Sequence, residues 1–158
     1  MRPLTVNNIK LSCKINIPTN LEFVKKLCLK NHLRVKEFPN FISIHGRFVI
    51  LFFKYSQIFK SHHVNITKIK NEGEIFAAIE NLALLIDCDI SDVTFKVDNL
   101  TVTGCFDFKV NLPNFVVCWK GPGAIKYSPE IFPAVFVKIE NINSIIFSSG
   151  NDKKSTFV

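Results

Sequence analysis

Phe38-Pro39-Asn40-Phe41-Ile42-Ser43-Ile44-His45-Gly46-Arg47-Phe48-Val49-Ile50-Leu51-Phe52-Phe53 holds two apolar runs, Phe41 to Ile44 and Phe48 to Phe53, around the compact glycine-bearing segment His45-Gly46-Arg47. That is the pattern of a β-hairpin. The stretch begins on a Phe-Pro step and ends fifteen residues later on a phenylalanine, and so does a second stretch, from Phe132-Pro133 to Phe147. Phe132 lies 94 residues after Phe38, and Phe147 lies 94 residues after Phe53. A fixed offset of that size marks an internal duplication.

Upstream of the first hairpin, Leu4 to Ile17 alternates apolar and polar residues, the signature of a strand with one buried face. Pro18 ends it. Thr19-Asn20-Leu21-Glu22 then has the spacing of a capping box, and Leu21, Val24, Leu27 and Cys28 share one helical face, which predicts a short helix over 19–30. Beyond the hairpin, a further strand fits either Gln57 to Lys60 or Val64 to Thr67. Ile75, Ile79, Leu82 and Ile86 line one side of a longer helix over 72–86.

The second half repeats this order. Val93 to Phe108 alternates, Asn114 to Lys120 reads as a short helix or its remnant, Gly121-Pro122-Gly123 as a loop, and strands follow at 134–139 and 143–148. The sequence ends at Val158 with no counterpart of the 72–86 helix. Strand, short helix, several strands and long helix in each half make an α+β pattern on an antiparallel sheet, which commonly leaves one face open. The repeats run approximately over 4–90 and 91–158, the second truncated at its C-terminus. One 158-residue domain is expected, because an isolated unit of about 80 residues is marginal.

Hydrophobic residues make up 47% of the chain and charged ones 21%, with sixteen phenylalanines, so there is ample apolar material for a core and general disorder is excluded. The net charge of +7 points to an anionic partner, nucleic acid or a membrane surface. No run of eighteen apolar residues occurs and the first residues lack the layout of a signal peptide, so an intracellular protein with no membrane partner is expected.

Cys13, Cys28, Cys88, Cys105 and Cys118 are odd in number and lack Cys-x-x-Cys spacing, which predicts reduced, mostly buried thiols and no zinc site. The neighbours His62 and His63 face opposite sides of a strand and do not share a metal easily. Asp87, Asp89 and Asp92 lack the glycine and terminal glutamate of a calcium loop and read as a solvated turn. There is no phosphate-cradling glycine loop, no His-Glu-x-x-His and no activated serine or cysteine context. The chain therefore reads as non-catalytic, without metal or cofactor.

Tyr127-Ser128-Pro129-Glu130-Ile131-Phe132-Pro133-Ala134-Val135, followed by Ile145-Ile146-Phe147-Ser148-Ser149-Gly150, resembles the second repeat of the TATA-box-binding protein family. Phe95-Lys96-Val97-Asp98-Asn99-Leu100 looks like the strand opening that repeat, and Val6-Asn7-Asn8-Ile9 like its first-half equivalent. The resemblance implies a pseudo-twofold saddle of two repeats, with a curved antiparallel sheet over the minor groove of DNA and helices on the convex face, the second long helix being absent. It implies Phe38, Phe53, Phe132 and Phe147 as wedges between base steps, since a flat ring with no polar group can enter an opened step. Asn8 and Asn99 become the central readers, Thr101 a groove contact and Lys138 a phosphate contact.

Glu130 and Ile131 fall where the family meets a general initiation factor. The partners so implied are A+T-rich double-stranded promoter DNA and general transcription initiation factors, in the nucleus or in the transcription compartment of a virus or reduced genome. The family pattern is broken at several places. Lys10, the first-half partner of Thr101, stands where the family has an apolar groove contact. The first-half position matching Lys138 by spacing is Ile44, Ser128 replaces an acidic residue, Asn151 to Thr156 replaces a strand, and Glu72, Glu74 and Glu80 make the long helix acidic. The alternative is a protein-interaction subunit of the same fold that has lost DNA binding. In either case a protein partner is expected to cover the apolar second-repeat sheet.

Overall fold

The alternation at the start of the chain becomes strand β1 (Thr5–Ile15), which buries Ile9, Leu11, Cys13 and Ile15 on one face. The computed structural model describes residues 4–148 in full and 155–157 as backbone. Helix α1 (Leu21–Lys30) follows, burying Val24 and Cys28. Its cap is Asn20 rather than Thr19: the Asn20 side chain accepts from Glu22 N–H at 2.9 Å. Thr19 is drawn elsewhere, its N–H donating to His62 Nε2 at 2.9 Å.

Strands β2 (Arg34–Glu37), β3 (Phe41–His45), β4 (Val49–Phe53) and β5 (His62–Ile69) come next, then helix α2 (Glu74–Ile86) and a one-turn 3-10 helix at Ile90–Asp92. The expected hairpin is β3–β4, with Phe41 opposite Phe53 and Ile44 opposite Ile50. Of the two candidate positions for the next strand, Val64 to Thr67 lies within β5, whereas Gln57 to Lys60 forms a turn closed by the Ser56–Ser61 bridge. Strand β6 (Val93–Cys105), helix α3 (Leu112–Cys118, capped by Asn111) and strands β7 (Ala124–Ser128), β8 (Phe132–Ile139), β9 (Ile142–Ser148) and β10 (Ser155–Phe157) complete the chain. Among the described residues there are three α-helices, and every element after α3 is a strand. Ser149, Gly150 and Asn151 to Lys154 lie outside the described residues.

The chain divides into two compact units, Val6–Thr101 and the remainder. In the N-terminal unit the strands lie in the antiparallel order β2-β3-β4-β5-β1. One face meets α1 and α2 through a core that includes Leu11, Ile15, Ile44, Ile50, Phe52, Ile66, Ile79 and Leu82. All four apolar positions foreseen on the long helix, Ile75, Ile79, Leu82 and Ile86, are buried there. In the C-terminal unit β10-β9-β8-β7 are antiparallel, and Val135, Val137 and Ile146 form a smaller core with Leu112 of α3.

The thiols are less buried than composition suggests. Cys13 and Cys28 are buried, and burial pushes them up to about 12 and about 11, while Cys88 and Cys105 are half-buried and Cys118 is exposed.

Gly123 opens β7 with φ of 91°, a left-handed value that disfavours side chains, and a Cβ there would run into the Lys138 carbonyl on β8. Gly123→Ala is expected to lower the unfolding free energy by about 2–3 kcal/mol in urea denaturation, through strain plus the displaced β7–β8 pairing. An unchanged midpoint would show that the approach is not tight.

Candidate nucleic-acid interface

Side chains alternate across a strand and directly paired residues share a face. In the N-terminal unit the face opposite the helices therefore carries Ser12 and Lys14 on β1, His63, Asn65 and Thr67 on β5, Val49, Leu51 and Phe53 on β4, Phe41, Ser43 and His45 on β3, and Arg34 and Lys36 on β2. Small polar residues line its middle, where Ser12 Oγ donates to Asn65 Oδ1 at 3.3 Å and Ser43 Oγ lies 2.9 Å from His45 Nε2.

At one end of this face the rings form a continuous series. Phe38, 46% exposed in the β2–β3 turn, stacks on Phe41 at 4.5 Å, Phe41 meets Phe53 at 5.0 Å, and Phe53 meets His63 at 5.7 Å. Phe38 and Phe53 are thus joined through Phe41, which the spacing of the two Phe-Pro steps did not single out.

Behind them, fully buried His62 fixes the end of β4. Its Nδ1–H donates to the Phe53 carbonyl at 2.8 Å and its ring lies between Phe52 and Tyr55. Burial holds this imidazole below its ordinary range. The Thr19 N–H can only donate and so needs a bare Nε2, while the Phe53 carbonyl favours the protonated ring.

Asn8 is half-buried, and its Oδ1 accepts from Lys68 N–H at 2.7 Å. Lys68 has φ of 69°, at the register shift where β5 bulges against β1. The carboxamide oxygen is thereby committed to the bulge, and its amide end is a donor. Lys10, two residues on, pairs with Asp98 of β6 at 2.8 Å, which holds that carboxyl below the usual carboxylate range. Asn99 is exposed on β6 and Thr101 is half-buried.

In the C-terminal unit the face away from α3 carries Phe132, Ala134, Phe136 and Lys138 of β8, Ile145 and Phe147 of β9, and Lys126 of β7. Phe132, 39% exposed, contacts Phe147 at 5.7 Å and Phe136 at 5.5 Å. A hollow of about 430 Å³ is lined by Lys126, Ser128, Ile131, Phe132 and Phe136. Glu130 and Ile131 stand in the β7–β8 turn, Ile131 80% exposed.

Strand register also corrects one correspondence between the halves. Phe41 pairs with Phe53 and His45 with Val49, whereas Ala134 pairs with Phe147 and Lys138 with Asn143. Counted from the paired phenylalanines, the counterpart of Lys138 is His45, and Ile44 belongs to the buried face at 1% exposure. The first repeat has one extra residue between its Phe-Pro step and β3.

No group of three or more metal-ligating side chains occurs among the described residues. Asp89 instead caps the turn, accepting from Ser91 N–H at 2.9 Å. What the two faces offer is rings, amides, hydroxyls, imidazoles and cations.

A family model described as transcription factor TFIID (or TATA-binding protein, TBP) matches residues 94–151. TATA-box-binding protein 3 of Methanosarcina mazei is 32% identical over 99 residues, covering 59% of this chain and 54% of that protein, so the chain spans about half the length of the curated relative it matches. Among solved structures, Methanococcus jannaschii TBP superposes with a TM-score of 0.69 at 20% identity, covering 99% of this chain and 87% of the other. At that identity the likeness is one of fold.

Proposed function

We propose that the chain is a divergent member of the TATA-box-binding protein family and that it binds A+T-rich promoter DNA in the minor groove and bends it, without catalysis. The repeats, approximately 4–90 and 91–158, supply one half of the contact each. Phe38 and Phe53 wedge one end and Phe132 and Phe147 the other, Asn8, Asn99 and Thr101 meet base edges, and Lys138 meets phosphate. Glu130 and Ile131, standing free in their turn, receive an initiation factor. The site of action is the compartment where transcription starts, the nucleus in a nucleated cell.

The observation that carries this reading is the state of the four rings. All sit at the helix-free face of their unit or its rim, none is buried, and within each unit the two are joined, Phe132 to Phe147 directly and Phe38 to Phe53 through Phe41.

The test is a fluorescence-resonance measurement of end-to-end distance on an A+T-rich duplex over a salt series. Binding is expected to shorten the distance and to weaken linearly in log salt. Lys138→Ala should weaken all duplexes alike and flatten the salt slope by about 0.9, the contribution of one phosphate contact. A duplex that stays straight at saturating protein would overturn the proposal in favour of the scaffold.

A further inference from the structure

On the helix-free face of the C-terminal unit, Phe136 is a third ring, which the repeated Phe-Pro step does not mark. It lies 5.5 Å from Phe132 with 36° between the ring planes, and the two side chains belong to residues 40% and 39% exposed. Strand pairing fixes their direction. Phe136 stands opposite Lys126 and Phe132 opposite Ser128, whereas Tyr127, Val135 and Val137 belong to the core with Leu112 of α3. These four side chains and Ile131 bound the hollow of about 430 Å³. Its walls are therefore two exposed rings, with a hydroxyl and an ammonium beside them.

When Phe132 enters a base step, the bases flanking that step lose a stacking partner. Every base has a π-face, so a second phenyl ring beside the wedge recovers part of that loss whatever the sequence. The hollow falls within the range of about 300–1,000 Å³ usual for sites that enclose a ligand. Lys126 supplies a cation for the adjoining phosphate, and the Ser128 hydroxyl can donate to or accept from a base edge. An apolar side chain from a protein would use the rings and make no use of Lys126 or Ser128.

We propose that this hollow is a stacking subsite for the base unstacked at the Phe132 end of the bound duplex, with Phe136 as its platform and Lys126 on its phosphate. This rests on the minor-groove reading above. The competing occupant is an apolar side chain of an initiation factor seated at Ile131.

The experiment is a cycle in which the protein carries Phe136→Ala and the A+T-rich duplex carries an abasic tetrahydrofuran nucleotide at each position in turn, with affinity read by anisotropy. At one position the abasic change is expected to weaken the parent protein by roughly fivefold or more relative to its effect on Phe136→Ala, where the platform is already gone. Phe136→Leu keeps apolar bulk without a flat face, so it should behave in the cycle as Phe136→Ala does, and it replaces that variant if the alanine protein does not fold. Lys126→Ala should flatten the salt slope by about 0.9, one phosphate contact.

Equal effects of every abasic change on the parent and the Phe136 variants overturn the proposal and leave the hollow to a protein side chain. Coupling that Phe136→Leu retains in full, or a salt slope that Lys126→Ala does not alter, overturns it as well, and in each case minor-groove binding stands. If no duplex is bound, the minor-groove reading fails and this inference with it.

Discussion

Phe132→Ala combined with Phe147→Ala is expected to abolish the bend in a bound A+T-rich duplex and to weaken binding about thirtyfold or more. Base–ring stacking is worth roughly 1–3 kcal/mol per ring, and two rings are removed. The cause is local. Both side chains lie on the face away from α3, in contact at 5.7 Å, while the core under them is made by Val135, Val137 and Ile146. Truncating the rings leaves that core in place, so a cooperative melting transition should persist.

Phe38→Ala with Phe53→Ala is expected to cost less, because Phe41 stays on the same face and can occupy the space its two neighbours leave. Removing Phe41 as well should bring the loss up to that of the second pair. The readouts are end-to-end distance by energy transfer and affinity by anisotropy. If the Phe132/Phe147 variant bends DNA as the parent does, the rings are not wedges.

That asymmetry was partly legible in the sequence. The constant offset between the Phe-Pro steps gave the duplication, and apolar periodicity gave β1, the β3–β4 hairpin and α2, because each buries a regular face. Strands β2 and β7 were missed for the opposite reason: Arg34-Val35-Lys36-Glu37 has one apolar residue, and Ala124 to Ser128 follows a glycine loop with little alternation. Neither is set by burial; both are edge strands that form because a longer neighbour offers them hydrogen bonds.

The site was legible where chemistry and spacing coincide and hidden where a pairing decides. A count along the chain aligned Lys138 with Ile44, and only the register of β3 on β4 aligns it with His45. Nothing near Lys10 in sequence announces its partner, since Asp98 lies 88 residues away. Likewise the Ser/Thr-x-x-Glu pattern pointed to Thr19 as the cap, but His62, 43 residues on, takes the Thr19 N–H and leaves the cap to Asn20. Long-range polar contacts are invisible to periodicity, which reports only the apolar side of a strand or helix.

His62 is where such a contact should matter most for stability. The ring is fully buried, accepts from Thr19 N–H, donates to the Phe53 carbonyl, and lies against Phe52 and Tyr55. His62→Ala removes a packed ring and leaves the part-buried Thr19 N–H and Phe53 carbonyl without their partners, so a loss of about 3 kcal/mol is expected in chemical denaturation. His62→Gln, which can donate with its amide and accept with its oxygen, should recover part of it.

Acid gives an independent measure of the same contact. Burial, with the need for a bare Nε2, holds the folded imidazole below its ordinary value of 6.5, so the unfolded chain takes up a proton that the folded chain refuses. Stability from this group is full above pH 6.5 and is lost as pH falls below that value, until the folded ring itself protonates. The lowered carboxyls of Glu74, Asp89 and Asp98 start from ordinary values of 4.5 and 3.8, so their losses begin at lower pH. A denaturation series from pH 7.5 to about pH 5 should therefore show a decline in the wild type that is flat in His62→Gln. Equal slopes in the two proteins would mean that His62 is not the group that titrates, and that the end of β4 is held by packing alone.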